Sequence, residues 1–471
     1  MPIDSTDTTR SAPSAWLILA AALVALKLLL GVFDPTIRFF LGDSESYLHS
    51  ALTGWIPPDR SFVYPAFLHV SAVAAGSLTA MLVVQSLCGV LTALLSAHIA
   101  AGLGVAWRYA AMLAVIVALE PAQLFYERMV MAESLGTLCL ITMIACGMAY
   151  LRCRDWRWLL PMALAGTATV ALRMSLLPIV LGFALLPPVI ARFGDRGRTP
   201  WRKPVLHLAI ALVATGIAHA GYQRLYGYVA DTKPTYLRTS GTFRLGLIAP
   251  LVKPEHLERY GVSRQLLDAL GPNLHEPLTR EQQLWSPDGL IHLLKRELGD
   301  ERTEVVARKI AARALRDDLP GYFAMQAGTV ADYFDPAVIA PRLDDDLGTR
   351  PLSDSILSEV REQLNYDAAG VHERRNPIAR YFDIAAPWWL TFSLFALAPL
   401  VVIALVRSPR ERRTTSLLFA LAACGLVTGH YLFSHIVSFR YLHPFAPLVL
   451  IALAAAFTPR VGRSTSATTR S

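Results

Sequence analysis

The sequence predicts an all-α, polytopic membrane protein with about ten transmembrane helices, interfacial helices on the outer face and a mostly helical extracytoplasmic region. Three observations predict it. The 471-residue chain is 54% hydrophobic and only 17% charged, too apolar for a soluble chain of this length. Its apolar residues collect in runs close to the roughly 20 residues that a membrane crossing needs. The basic residues behind its net charge of +8 stand just beyond such runs. That placement argues for membrane orientation, where an even spread would suggest nucleic acid. The five cysteines (Cys88, Cys139, Cys146, Cys153 and Cys424) lie in or beside apolar runs at no metal-ligand spacing. The large polar region has none, so no disulfide framework is expected there.

The elements follow in order. Residues before Trp16 are polar with little positive charge, so 16–33 reads as a retained first span rather than a cleaved signal. Lys27 inside it either snorkels to the outer face or faces a phosphate in a polar cavity. A long polar loop follows. Residues 66–107 then contain no Asp, Glu, Lys or Arg, too long a stretch for one crossing. It splits near Gly76 into an interfacial helix and a span at 77–103. The third span, 107–125, carries Glu120 and Pro121 at its outer end, where the proline kinks or ends it. The fourth is 130–151. Residues 159–172 and 176–190 form a tight hairpin around Arg173, each arm barely long enough to cross. The seventh span is 205–222. Residues 227–385 are polar and mixed in charge, with helical periods; the run Asp344, Asp345, Asp346 reads as a solvated turn. Three spans close the chain at 387–406, 416–434 and 441–457. The domain organisation is a membrane region over 1–225 with an outer loop at 34–76, an extracytoplasmic region over 226–385, and C-terminal helices with a cytoplasmic tail over 386–471.

Charge sets the topology. Arg152, Arg154 and Arg157, then Arg192, Arg196, Arg198, Arg202 and Lys203, then Arg407, Arg410, Arg412 and Arg413, then Arg460 and Arg463 all fall on one side, which is therefore cytoplasmic. The other side receives the first loop, the turn at 120–130, Arg173, the polar region and the turn near His435.

That first loop is the most informative stretch. From Phe40 it reads FLGDSESYLHSALTGWIPPDRSFVYPAFL. A plain connector would be about two to eight polar residues. This one packs in Asp43, Glu45, Tyr47, His49, Asp59, Arg60 and Tyr64. Ionisable groups at membrane depth mark function when they cluster, and the outer side collects Asp43, Glu45, Glu120, Glu127 and Glu133 with Arg60, Arg128, Arg173 and Arg440. The inventory suits transfer of a group from a phosphate: a carboxylate takes a proton from an acceptor hydroxyl, and arginine forks hold the departing phosphate. Plainer roles compete. Ser44 is a natural N-cap for a helix through Tyr47. Glu133 has reason enough to sit at the start of the fourth helix. Glu120 has a structural partner within reach in Arg128. Arg440 and Tyr441 fit an interfacial anchor. His430 and His435 are five apart, off the spacing that puts two ligands on one helical face, so no metal is assigned to them.

The order of these features resembles the GT-C membrane glycosyltransferases, in particular the branch grouping protein O-mannosyltransferases with bacterial aminoarabinose and lipopolysaccharide-core sugar transferases. The resemblance rests on GDSESYLHSALTG, RSFVYPAFL, LEPAQLFYERMVMAESL, an Arg near the outer end of a later hairpin, ALRDDLPGYFAMQAGTVADYF and the closing SFRYLHPFAPLVL. It implies a GT-C helical bundle and inverting transfer of a hexosyl or pentosyl group from a polyprenyl-phosphate sugar. Asp43 matches the family's first-loop base and Glu133 its acid at the fourth helix, giving two catalytic candidates. In many relatives the residue after the base is also acidic; here it is Ser44, with Glu45 one step on. Glu120 is a further acidic candidate. Arg60 and Tyr64 match the family's loop-end positions, and Arg173 and Arg440 its phosphate- or lipid-facing arginines. Glu45, Tyr47 and Tyr441 complete the substrate-binding set.

The expected function is thus an inner-membrane glycosyltransferase of the bacterial envelope, working on the extracytoplasmic side. Its partners would be a polyprenyl-phosphate sugar, membrane lipid and a glycan, lipid or protein acceptor, with no nucleic acid. No cofactor is implied with certainty, and a divalent cation stays open. The rival readings are an envelope-glycan polymerase or ligase built on His435 and Arg440, and a lipid-linked-sugar flippase or transporter, which would show an internal repeat.

Overall fold

The computed structural model describes residues 13–194 and 201–457; Arg196, Arg198, Arg460 and Arg463 lie outside them. Among the described residues there is no strand, and one parallel bridge pairs Arg38 with Met129. Among the described residues eight helices are long and apolar enough to cross a membrane, making this a multi-pass membrane protein.

The N-terminal half comprises α1 (Pro13–Phe33), α2 (Leu41–Thr53), α3 (Val63–Leu68, continued by a π turn to Val73), α4 (Leu78–Leu103), α5 (Trp107–Ala118), α6 (Pro121–Tyr126), α7 (Glu133–Cys153), α8 (Leu159–Leu172), α9 (Leu177–Gly194) and α10 (Arg202–Val229). The stretch expected to split near Gly76 does so. Two expected spans fall short. At 1.5 Å per residue, α5 is about 18 Å long and α8 about 21 Å, against about 30 Å of hydrocarbon. The cause in α5 is local: Glu120 accepts the Gln123 N–H at 2.6 Å and Pro121 occupies the first helical position, so a new helix starts there. Where the sequence predicts ten spans, the described residues hold eight helices long and apolar enough to cross a membrane, with α5 and α8 too short on their own.

The chain closes with α11 (Ser240–Leu247), α12 (Asp300–Asp317), α13 (Leu319–Ala331), α14 (Pro336–Asp346), α15 (Asp354–Leu364), α16 (Pro377–Val406), α17 (Arg413–Phe433), α18 (Phe439–Leu442) and α19 (Phe445–Phe457). The basic helix ends share one face. The Arg412 guanidinium donates to the Ala101 carbonyl at 2.9 Å, Arg152 meets His98 at 2.9 Å and Arg192 lies 4.0 Å over the Trp201 ring.

The polar region has its own apolar core, in which α12 buries Val306, Ala307, Ile310, Ala311 and Ala314, a stripe of helical period. Further on, Ile356, Val360 and Leu364 of α15 pack on Ile37, Leu48, Leu68 and Ala72. This part of the region therefore covers the first loop. The acidic run ends α14 and is only partly a solvated feature. Asp344 pairs with Arg375 and Asp345 with Arg350, each at 3.0 Å, but Asp346 is 1% exposed.

Two glycines let groups cross the bundle. A Cβ at Gly136 would stand 3.0 Å from Arg173 Cδ, and one at Gly89 would stand 1.8 Å from Glu127 Oε1. Behind Gly89 lies a buried ionic chain. Lys27 Nζ donates to the Ala118 carbonyl at 2.6 Å and to both Glu127 oxygens at 2.8 and 2.9 Å. Lys27 thus neither snorkels nor faces an open cavity. Arg128 donates only to the carbonyls of Leu30, Asp34 and Leu124, so the Glu120–Arg128 bridge does not form.

Candidate active site

The first loop is held by its backbone before any side chain acts. The Arg38 N–H donates to the Arg128 carbonyl at 2.8 Å, and the Val130 N–H to the Arg38 carbonyl at 2.9 Å. The helix of this loop starts earlier than a Ser44 cap would set it. Its N-cap is Phe40, and the Ser44 hydroxyl reaches back to accept the Phe40 N–H at 2.7 Å while donating to the Val130 carbonyl at 2.9 Å. Asp43 consequently lies in the first turn of α2, where the helix dipole favours a carboxylate.

Arg60 comes from the far end of the same loop. The Pro58 carbonyl there accepts the N–H groups of Arg238 and Thr239 and the Thr239 hydroxyl, at 3.1–3.2 Å. Asp59 takes Arg60 Nη2 at 2.8 Å, and Nη1 stands 2.9 Å from Asp43 Oδ1. Tyr47 lies beneath the guanidinium, its ring centre 5.4 Å away.

The second cation arrives from nearly four hundred residues away in sequence. Arg440, in the short helix α18, places Nη1 2.8 Å from Asp43 Oδ2 and donates from Nη2 to the Tyr441 hydroxyl at 3.1 Å. Its guanidinium also stacks 4.3 Å over the Phe40 ring. Arg173, just past the end of α8, donates from Nη2 to the Arg440 carbonyl at 3.2 Å. Glu133 opens α7, close enough for its charge to act on both Arg173 and Arg440. Asp43, Tyr47, Arg60, Glu133, Arg173, Arg440 and Tyr441 thus converge.

The electrostatics follow from this crowding. Burial alone pushes the Asp43 carboxyl up, but the Arg60 and Arg440 guanidiniums outweigh it and hold the group below the ordinary carboxylate value. Burial pushes the Tyr47 hydroxyl well above its usual range. Several buried polar atoms in the convergence have no hydrogen-bond partner: Glu133 Oε2, Arg173 Nη1, Arg440 Nε and the Tyr126 hydroxyl. Unsatisfied groups of this kind are costly in an interior; the two arginine nitrogens and the Tyr126 hydroxyl can donate to a ligand with negatively charged oxygens, whereas Glu133 Oε2 can only accept from a donor.

Three expected residues lie outside the convergence. Glu45 accepts the Ser353 N–H at 2.5 Å, facing the polar region. Tyr64 is buried, its hydroxyl 3.2 Å from Gln85 Oε1 and its ring edge-on to Tyr47 at 4.8 Å. It supports Tyr47. Both oxygens of Glu120 are occupied, one by Gln123 and the other by Trp389 Nε1 at 2.9 Å.

Sequence reasoning missed Asp346, whose carboxylate accepts the Ser438 hydroxyl at 2.8 Å and the Phe439 N–H at 2.5 Å. Nothing in three consecutive aspartates distinguishes the buried one. It also missed His443, which donates from Nε2 to Gln123 Oε1 at 3.1 Å and meets the Thr137 hydroxyl through Nδ1 at 3.2 Å. Among the described residues no three of His, Cys, Asp and Glu gather in a way that would hold a metal ion.

No protein-family model matches this chain, and no curated protein does. Solved structures similar to it include two of ArnT from Cupriavidus metallidurans. The one bound to undecaprenyl phosphate is 13% identical over 94% of this chain and 78% of that chain, with a TM-score of 0.34. The apo structure is 14% identical over 95% and 78%, with a TM-score of 0.31.

Proposed function

We propose that this chain is an integral-membrane glycosyltransferase of the bacterial inner membrane, moving a sugar from a polyprenyl-phosphate donor to an envelope acceptor on the extracytoplasmic side. The observation that carries the reading is the Asp43 carboxylate gripped by Arg60 at 2.9 Å and Arg440 at 2.8 Å, beside unpartnered nitrogens of Arg173 and Arg440. A base and a phosphate-holding fork occupy one place, at the outer rim of the bundle where a lipid phosphate lies.

The chemistry balances in one displacement. The acceptor hydroxyl oxygen attacks the anomeric carbon, and its proton passes to Asp43. The bond from that carbon to the phosphate oxygen breaks, its electron pair leaving on the phosphate. A single displacement inverts the anomeric centre. The two arginines have a part in timing. While they face Asp43 they hold it ionised and weakly basic. A donor phosphate draws them away, and Asp43, still half-buried, becomes the stronger base. Arg440 and Arg173 then neutralise the leaving group. Glu133 keeps Arg173 oriented, and Tyr47 with Tyr441 lines the space beside the guanidiniums.

The test is transfer of a labelled sugar from a polyprenyl-phosphate donor in vesicles holding the purified protein, with envelope material as acceptor. The expected outcome for Asp43→Asn is a loss of about 10²–10⁴-fold, the usual contribution of a positioned base. Transfer by Asp43→Asn at the wild-type rate would falsify the proposal.

A further inference from the structure

We propose that Asp346 is a positioning residue for Arg440: the extracytoplasmic region, through Asp346 and Tyr333, sets where the phosphate-holding guanidinium stands. The inference deepens the reading above and rests on it.

The turn before α18 has no cap of its own. Ser438 occupies the N-cap position, yet its side chain makes no capping bond to the helix it precedes. The exposed N–H groups of a helix start need acceptors, and here the acceptor comes from outside. Asp346, the last residue of α14, takes the Phe439 N–H on one oxygen and the Ser438 hydroxyl on the other. Tyr333 completes the grip, donating its hydroxyl to the Ser438 carbonyl at 3.2 Å and accepting the Ser438 N–H at 3.3 Å. The hydroxyl, N–H and carbonyl of Ser438 are therefore all held by the polar region. Arg440 is two residues on, its own carbonyl fixed by Arg173.

Asp346 does not touch the reacting atoms, since both of its oxygens are occupied and it is almost fully buried. It acts through Arg440. An amide at this position offers one acceptor oxygen where the turn presents two donors, so the carboxylate is the form that holds the turn. Burial pushes this carboxyl up to about 7, with the Arg440 charge and the bonds from Ser438 and Phe439 opposing. The ionisable groups facing it are Arg440 from α18, Glu133 from α7, Tyr126 from α6 and Tyr333. On its own helix, Asp345 is engaged with Arg342 and Arg350. The fully gripped turn therefore belongs to the pH range above about 7, and protonation weakens one of the two bonds below it.

The experiment measures binding of polyprenyl phosphate to the purified full-length protein in nanodiscs between pH 6 and 8. Asp346→Asn is expected to weaken binding about 10-fold at pH 8, the scale of one lost hydrogen bond to a charged group. The ratio of wild-type to variant affinity should shrink toward one at pH 6; a ratio cancels the ligand's own ionisation. In an Arg440→Ala background, adding Asp346→Asn should change nothing further. Ser438→Ala, a milder lesion in the same grip, should weaken binding about 3-fold. The inference is overturned if Asp346→Asn binds as wild type, if the ratio is flat with pH, or if the Asp346 effect survives undiminished without Arg440. Wild-type protein that does not bind polyprenyl phosphate at all would sink the glycosyltransferase reading as well, which distinguishes the two failures.

Discussion

Two ionic clusters of the molecule are built on opposite principles. In the first, Lys27 is 3% and Glu127 0% exposed. Their polar atoms are enclosed in a continuous chain, with Gln123 Nε2 donating to Glu127 at 2.8 Å and His443 donating to Gln123 at 3.1 Å. In the second, the Asp43 side chain is 25% exposed and those of Arg60 and Arg440 are 16% and 15% exposed, while neighbouring nitrogens and a carboxylate oxygen are unpartnered. The first cluster is closed and ties α1 to α6; the second is open, and its unpartnered arginine nitrogens suit an anion. Both clusters bury charge, so burial of charge alone does not separate them; incomplete satisfaction does, and it is the feature on which the proposed site rests.

The sharpest way to break the comparison is Lys27→Met. It strands the Glu127 carboxylate in the bundle and should cost about 3–5 kcal/mol of stability, measured by thermal unfolding in detergent. A Lys27→Met/Glu127→Gln double variant should recover most of that loss, because the stranded charge is gone. The next largest effect belongs to the open cluster and is functional. Arg440→Ala should slow sugar transfer by about 10²–10³-fold, the scale of losing one charge-stabilising group from a reacting site, read from initial rates at saturating donor. The smallest effect sharpens the contrast. Asp43→Asn should shift stability by no more than about 1 kcal/mol, because a partly exposed ion pair contributes little. Equal stability losses for Lys27→Met and Asp43→Asn would erase the distinction drawn between the clusters.

The same contrast explains what was legible in the sequence. Local periodicity and breakers located the apolar helices, the break near Gly76 and the hairpin at Arg173, because those depend on neighbours in the chain. Asp43, Arg60, Arg173 and Arg440 stood out as ionisable groups on one side, although no local signal says that Asp43 touches both Arg60 and Arg440. Partner identity is a tertiary property, and there the reading failed. Lys27 meets Glu127 across 100 positions, and Glu120 meets Trp389 across 269. The capping role of Glu120 was nonetheless readable from the Glu-Pro pair, since proline at the first helical position calls for an acceptor just before it. Asp346 was hidden by its two solvated neighbours.

One feature of the scaffold bears on how a lipid would reach these arginines. Helix α8, about 21 Å long, is shorter than a hydrocarbon layer of about 30 Å, and the first residue past its C-terminal end is Arg173. A bilayer meeting so short a wall thins against it at modest cost, drawing the headgroup plane inward toward that guanidinium. On the proposed function, a long-chain isoprenoid phosphate would then meet that guanidinium by moving sideways in the leaflet, with its tail still dissolved in lipid and without first being lifted into water.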